Sequence, residues 1–281
     1  MTDTHIPTRT LNDGTKIPLI GLGTYRLNGP TGVQAMLHGI DIGYRLLDSA
    51  FTYENEGAIG EVVRRSPIPR EQLVLTSKLP GRHQQYDEAV TTVHESLYRA
   101  GLDYWDLYLI HWPNPARGTY VEAFQALIDM KEAGLIRSVG VCNFLPEHLH
   151  TLKEHVGVLP SVNQVELHPR FNQSALRALH DELGICTQSW SPLGRKLALV
   201  HAPVICALAE ETGLTPAQLI LRWHYQHGAV PLPKSANPER QKENANIFHC
   251  ELSQSQMERI DALSLPDGRM AGQDPAFYEE F

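Results

Sequence analysis

Short apolar runs alternate with longer stretches of helical period along most of this chain. LIGLG (19–23) leads into a helical pattern over 31–42, YRLLDS (44–49) into 54–65, LVLTSKL (73–79) into 86–100 and WDLYLIHW (105–112) into 119–133. The series continues with IRSVGVCN (136–143) before 146–156, SVNQVEL (161–167) before 173–183, and ICTQSWS (185–191) before 203–212. A further helical stretch at 215–227 precedes AVPLPKS (229–235), which is followed by helices at 238–248 and near 255–264. Eight strand-length runs, each followed by a helix, predict an α/β fold of the (β/α)8 TIM barrel type with extra helices. Ahead of the series, Asp13 and Gly14 sit between two short stretches with β-branched residues and predict an N-terminal β-hairpin over 8–20. The alternative, an open doubly wound sheet, would want a glycine-rich phosphate turn after its first strand, and GLGTYR lacks the third glycine. No repeat or linker interrupts the pattern, so residues 1–281 read as a single domain. The tail, SLPDGRMAGQDPAFYEEF, has no period and is expected to run over the surface.

Composition narrows the classes of function. A chain of 281 residues that is 42% hydrophobic can bury a large core. Its formal charge of −8 and its lack of Lys/Arg blocks argue against nucleic acid or an anionic membrane as partner. No apolar segment approaches the roughly eighteen residues that span a bilayer, and the N-terminus lacks a basic stretch followed by an apolar run. The four cysteines are scattered, without a CxxC pair or zinc-finger spacing, so neither a disulfide framework nor a structural metal is indicated, which suits the reducing cytoplasm.

In a (β/α)8 fold, function sits at the C-terminal ends of the strands. Those positions carry Asp48 and Tyr53 after the second run, Lys78 in the third, His111 and Trp112 in the fourth, and Cys142 and Asn143 in the fifth. They continue with Gln164 and Glu166, then Trp190 and Ser191, then Lys234 and Ser235. Few of these suit a buried core, so together they imply a pocket. Lys78, inside an apolar run, needs a counter-charge, which Asp48 on the neighbouring strand can supply. A charged Lys78 beside Tyr53 would favour phenolate and pull the phenol below its usual value of about 10, making it a proton donor near neutral pH.

Asp48, Tyr53, Lys78 and His111, in that order and in the setting of GYRLLDSAFTYENE, LTSKL, DLYLIHWP, IRSVGVCNF, VNQVELHP, QSWSPLG and PKSANPER, resemble the aldo-keto reductase family. The resemblance runs from about Thr10 to about Leu265. It implies a barrel that reduces carbonyls with a nicotinamide cofactor, with Tyr53 as general acid, Lys78 and Asp48 tuning it, and His111 orienting the carbonyl. It places Asn143 and Gln164 at the carboxamide, Trp190 under the nicotinamide, and Ser191, Leu193, Gly194 and Arg195 along the pyrophosphate. Lys234, Ser235 and Arg240 match the part that grips a 2′-phosphate, with Glu243 and Asn244 near the adenine, so NADPH is expected over NADH. Tyr25, Phe51 and Trp112 are expected pocket walls, joined by Phe277 and Tyr278 if the tail folds back. The expected partner is a small carbonyl compound and the expected state a monomer.

Two departures stand out. Cys142 occupies a position where the family usually has serine, and Trp190 one where tyrosine is more common, as in prokaryotic members similar to 2,5-diketo-gluconate reductases. The loop between Gly194 and Pro203 and the C-terminal tail are short compared with animal members, which implies an open substrate mouth. Two other classes compete: a cofactor-binding sensor or structural protein on the same fold, and a Schiff-base enzyme that would require a neutral Lys78.

Overall fold

The computed structural model describes residues 6–281. Strands β1 (Thr8–Thr10) and β2 (Lys16–Pro18) form the antiparallel hairpin, in register Thr8 to Pro18 and Thr10 to Lys16. Its turn closes where expected, with Gly14 at φ +87 and the Asp13 carboxylate accepting from the Thr15 amide. The hairpin contributes Leu11 and Ile17 to an apolar cluster with Leu46, Leu107, Val162, Cys186 and Val230.

Eight parallel strands follow in sequence order. They are β3 (Leu22–Gly23), β4 (Leu46–Asp48), β5 (Val74–Leu79), β6 (Trp105–Ile110), β7 (Ile136–Cys142), β8 (Val162–Glu166), β9 (Cys186–Trp190) and β10 (Val230–Pro231). Between them lie α1 (Gly29–Ile42), α2 (Glu56–Arg65), α3 (Tyr86–Ala100), α4 (Tyr120–Glu132), α5 (Pro146–Val156) and α6 (Ser174–Leu183). The extra helix is present: α7 (Pro203–Thr212) and α8 (Pro216–Gln226) both separate β9 from β10, and α9 (Pro238–Ala245) and α10 (Gln254–Asp261) follow. This is the order and helix placement of a (β/α)8 fold. The sheet curls until its two edges meet, where the Gly21 amide donates to the Pro231 carbonyl and the Gly23 amide to the Pro233 carbonyl. No single helix among the described residues is long and apolar enough to cross a membrane.

The first and last strands are much shorter than the apolar runs that predicted them. In β10 the cause is covalent: Pro231 and Pro233 have no N–H, so a run of strand-like composition makes few ladder bonds. Within the strands, alternate residues point inward. Inward positions near the hairpin are apolar, as with Leu46, Leu107 and Val162, whereas those toward the C-terminal ends are polar: Asp48, Lys78, Gln164 and Gln188. The period of two that builds the core therefore also delivers a polar layer to one rim.

Outside, helices pack on the strands through a large cluster that includes Met36, Tyr44, Val93, Phe124 and Leu127. Contact between α2 and α3 depends on Gly60, where an added Cβ would lie 1.8 Å from the Ala100 carbonyl oxygen. Gly60→Ala is expected to cost about 1–3 kcal/mol, as overpacking against backbone does. Urea unfolding should show a lower midpoint with an unchanged slope.

Candidate active site

At the C-terminal rim the polar layer opens into a cleft of about 730 Å³. Asp48, Tyr53, His111, Trp112, Cys142, Asn143, Gln164 and Trp190 line it, together with Thr52, Leu193, Arg195, Lys196, Lys234, Gln273 and Tyr278. Lys78 lies beneath them, only 1% exposed, and its Nζ donates to both carboxylate oxygens of Asp48 at 2.9 Å and to the Ser49 carbonyl at 2.6 Å. Three donors on the ammonium meet three acceptors, which is the condition under which a buried cation is tolerated. The Asp48 carboxylate also accepts from Gln164 Nε2 at 2.8 Å, and Gln164 reaches Gln188 Oε1 at 3.1 Å. Burial, the largest single influence, would lower the Lys78 ammonium, but the Asp48 charge and hydrogen bond, with Tyr53 and Cys142 adding to them, together outweigh it and hold the group above its ordinary value. Lys78 therefore remains a cation, contrary to what a Schiff-base nucleophile requires.

Tyr53 is carried not by a helix but by a 3-10 turn, Phe51–Tyr53, which ends on left-handed Glu54. Its ring lies 5.0 Å from Lys78 Nζ, edge-on to Tyr25 at 5.1 Å and to His111 at 6.0 Å. The expected lowering of this phenol is reversed. Although the ring as a whole is half-buried, the hydroxyl end beside Lys78 is desolvated, and burial outweighs the cation and pushes Tyr53 up to about 12. Tyr53 thus holds its proton throughout the neutral range. Burial likewise raises the Cys142 thiol, which stays protonated beside the pair.

Phe51 does not line the cleft. It is buried on the outer side, with the Arg99 guanidinium 3.9 Å from its ring and His83 edge-on at 5.6 Å. Thr52 faces the cleft in its place. Asn143, at φ +62, is committed at both ends of its amide: Nδ2 donates to the His111 carbonyl at 3.1 Å and Oδ1 accepts from Trp190 Nε1 at 2.8 Å. That bond fixes the plane of the indole. The loop after β9 carries left-handed Ser191, Gly194, Arg195 and Ala198, and the Arg195 guanidinium crosses the cleft to lie 4.9 Å from the Tyr25 ring.

The remaining predicted residues divide. Lys234 reaches the cleft, but Ser235, Arg240, Glu243 and Asn244 lie beyond its lining, on the turn into α9 and on α9 itself. The Ser235 hydroxyl is spent on the turn, accepting from the Asn237 amide at 3.1 Å. Asn244 is buried and Glu243 half-buried. Lys234 and Arg240 are exposed, and neither has an ion-pair partner among the described residues.

The tail departs most from expectation, because it folds back over the cleft instead of running over the surface. Tyr278 packs on Trp112 with ring centres 4.4 Å apart, while Phe277 points outward, 82% exposed, and is no wall. Glu280 is the residue that sequence reasoning missed. Its Oε1 lies 2.7 Å from His111 Nδ1, its Oε2 accepts from the Gly81 amide at 2.9 Å, and its backbone exchanges two hydrogen bonds with the Asn114 side chain. The His111 contact is close but off the line of the ring N–H, and it is an ion pair only when the ring is protonated. Burial by itself would raise the Glu280 carboxyl, but the His111 charge and the Gly81 amide hold it below its ordinary 4.5. A carboxyl depressed by docking stabilises the docked tail above that value and ceases to do so as pH falls through the folded-state value. Tryptophan emission followed downward from pH 6 should therefore report release of Tyr278 from Trp112 below about pH 4.5, and Glu280→Gln should remove that acid transition.

Residues 19–265 match the family model described as Aldo/keto reductase family. A relative from Corynebacterium sp., 2,5-diketo-D-gluconic acid reductase B, is 51% identical over 276 residues, covering 98% of this chain and 99% of that protein. An aldo-keto reductase of Mycolicibacterium smegmatis is 45% identical over 96% of this chain and 97% of its own. Among solved structures, a mutant of Gox0644 in complex with NADPH superposes with a TM-score of 0.93 at 38% identity, covering 98% of this chain and 99% of that one. A Bombyx mori aldo-keto reductase in complex with NADP gives 0.88 at 30% identity, with 98% of each chain covered. With the hairpin, the eight strands and nearly the full length matched, this chain belongs to the aldo/keto reductase family.

Proposed function

We propose that this chain, acting as one domain over residues 1–281, is an NADPH-dependent reductase of aldehydes, ketones or α-dicarbonyls, a cytoplasmic monomer that works on small molecules. The observation that carries the reading is the convergence of Tyr53, Asp48 and His111 in the lining of one cleft, with the Lys78 ammonium directly beneath them on Asp48. The NADPH and NADP complexes of its structural neighbours support the cofactor assignment.

The residues present suit such a cofactor. The cleft is large enough for a dinucleotide, its loop side carries Arg195, Lys196 and Lys234, and none of those cations is neutralised by a carboxylate among the described residues. When bound, the cofactor supplies hydride. Trp190, held by Asn143, offers the flat face on which a ring can rest; Gln164 retains only its Oε1 as an acceptor, and Asn143 its second Nδ2 hydrogen as a donor, for an amide. The loop from Ser191 to Arg195 would hold the pyrophosphate, and Glu243 and Asn244 on α9 would serve the far end.

Tyr53 gives its proton to the carbonyl oxygen. A phenol at about 12 is a weak acid in the free site, but an oxygen on its way to alkoxide is a stronger base than phenolate, so transfer becomes favourable as charge develops. The nearby ammonium stabilises the phenolate left behind. His111 directs the same oxygen toward Tyr53, and Tyr25, Trp112 and Tyr278 supply an aromatic wall that suits a neutral carbonyl compound.

NADPH consumption with methylglyoxal or another reactive aldehyde tests the reading: Tyr53→Phe should lower kcat by about 10²–10⁴-fold, the usual contribution of a positioned acid. Equal slowness of wild type and Tyr53→Phe, with tight NADPH binding in both, would instead identify a cofactor sensor. For cofactor choice, Lys234→Ala together with Arg240→Ala should raise the KM for NADPH by about tenfold or more while leaving that for NADH within about twofold, since only a 2′-phosphate loses its partners.

A further inference from the structure

A carboxylate oxygen 2.7 Å from an imidazole nitrogen favours a proton on one of the two groups even though the contact lies off the line of the ring N–H, since two bare acceptors at that distance would repel. Glu280 is in a poor position to supply it. Its second oxygen already accepts from the Gly81 amide, its backbone is pinned by Asn114 on both sides, and the neighbouring Glu279 is fixed to the Ala116 amide. The Gly81 amide favours the ionised carboxylate and the other contacts hold it in a defined place, consistent with its depressed pKa. The proton therefore belongs to His111 Nδ1.

The other surroundings of the ring leave one nitrogen for chemistry. Tyr53 meets it edge-on from the turn after β4, the backbone carbonyl of His111 is taken by Asn143 from the end of β7, and Tyr278 covers the adjacent Trp112. With Nδ1 turned to Glu280, Nε2 remains free. A neutral ring protonated on Nδ1 presents a lone pair at Nε2, which accepts but cannot donate to a carbonyl oxygen.

Building on the carbonyl-reductase reading above, we propose that Glu280 is a positioning residue that keeps a proton on His111 Nδ1, so that Nε2 donates to a carbonyl oxygen only when the ring is imidazolium. The tail thereby makes His111 a charged donor in reduction and a neutral acceptor for the hydroxyl of an alcohol in the reverse direction. A tail that merely covered the cleft would set neither the tautomer nor the charge.

Long-range ¹H–¹⁵N correlation spectra of the imidazole rings test this without turnover, with His111 assigned by its loss in His111→Gln. Wild-type His111 should carry a proton on Nδ1 at every pH at which the protein is folded. Glu280→Gln should move the neutral ring to the Nε2–H form. Glu279→Gln, which removes the neighbouring charge but keeps an acceptor for the Ala116 amide and the Glu280 carboxylate, should leave the ring as it is. A bare Nδ1 in the wild type overturns the proposal whether or not the variant folds, and so does an equal response to Glu279→Gln. In steady-state reduction, Glu280→Gln should lower kcat by about tenfold while KM stays within about twofold, since a donor to the reacting oxygen matters most in the transition state. A shifted tautomer with unchanged kcat removes Glu280 from the reaction. Failure of the wild type to oxidise NADPH would refute the reductase reading and leave the spectra to decide the tautomer separately.

Discussion

A single buried ammonium organises this molecule. Taking Lys78 out of water would cost many kilocalories if it were alone, and even a paired ion recovers that cost only when every donor is met. Here Asp48 supplies two acceptors and Ser49 the third, and Gln164 uses another lone pair of the carboxylate. The bonds run between β4, β5 and β8, so charge neutrality and the spacing of three strands are one requirement. An Asp48 carboxylate deprived of Lys78 would remain buried without a counter-ion, a defect of about 3–5 kcal/mol in comparable cases. Such a pair is poor value as a stabilising device beside a packed apolar alternative. Its retention makes sense for a site that needs a fixed positive charge next to a phenol.

Much of this was legible in the sequence, and the reason is periodicity. Strand period two and helix period 3.6 are local, so the order of elements could be read along with the strand-end residues Asp48, Lys78, His111 and Asn143. What lay beyond reach depended on distance through space. Phe51 and Tyr53 are two residues apart and looked like two walls of one pocket. In a 3-10 turn, successive side chains are about 120° apart, so these two diverge, and Phe51 is left facing Arg99 on α3. The acidity of Tyr53 was misjudged because the charge on Lys78 could be seen in the sequence while the burial opposing it could not. Glu280 sits in a segment without period, and its partner is 169 positions away in sequence, from 111 to 280. Nothing local marks it.

The site is consequently built from two kinds of structure. Its floor belongs to the sheet and shares the sheet's cooperativity, whereas its roof comes from the loops after β3 and β4, the left-handed loop after β9 and the last few residues of the tail. The floor carries the charge that must not move. The roof carries Tyr25, Arg195 and Tyr278, held by ring contacts and single hydrogen bonds, which can part without disturbing Lys78.

The prolines of β10 give this division one more expression. In a parallel strand, each residue directs its N–H and C=O to the same side, so Pro231 and Pro233, whose carbonyls face β3, would have donated to β3 had they been any other residue. Bonds across the closing seam consequently run one way only, from glycine amides to proline carbonyls, and the ring of strands is stitched there at about half the usual density. Glycine on one side and proline on the other leave the seam with two bonds, where the ladder between β6 and β7 registers five residue pairs. It ends at Lys234 in the lining of the cleft, so the rim there stands on a one-way join, while the floor around Lys78 stands on strands bonded in both directions.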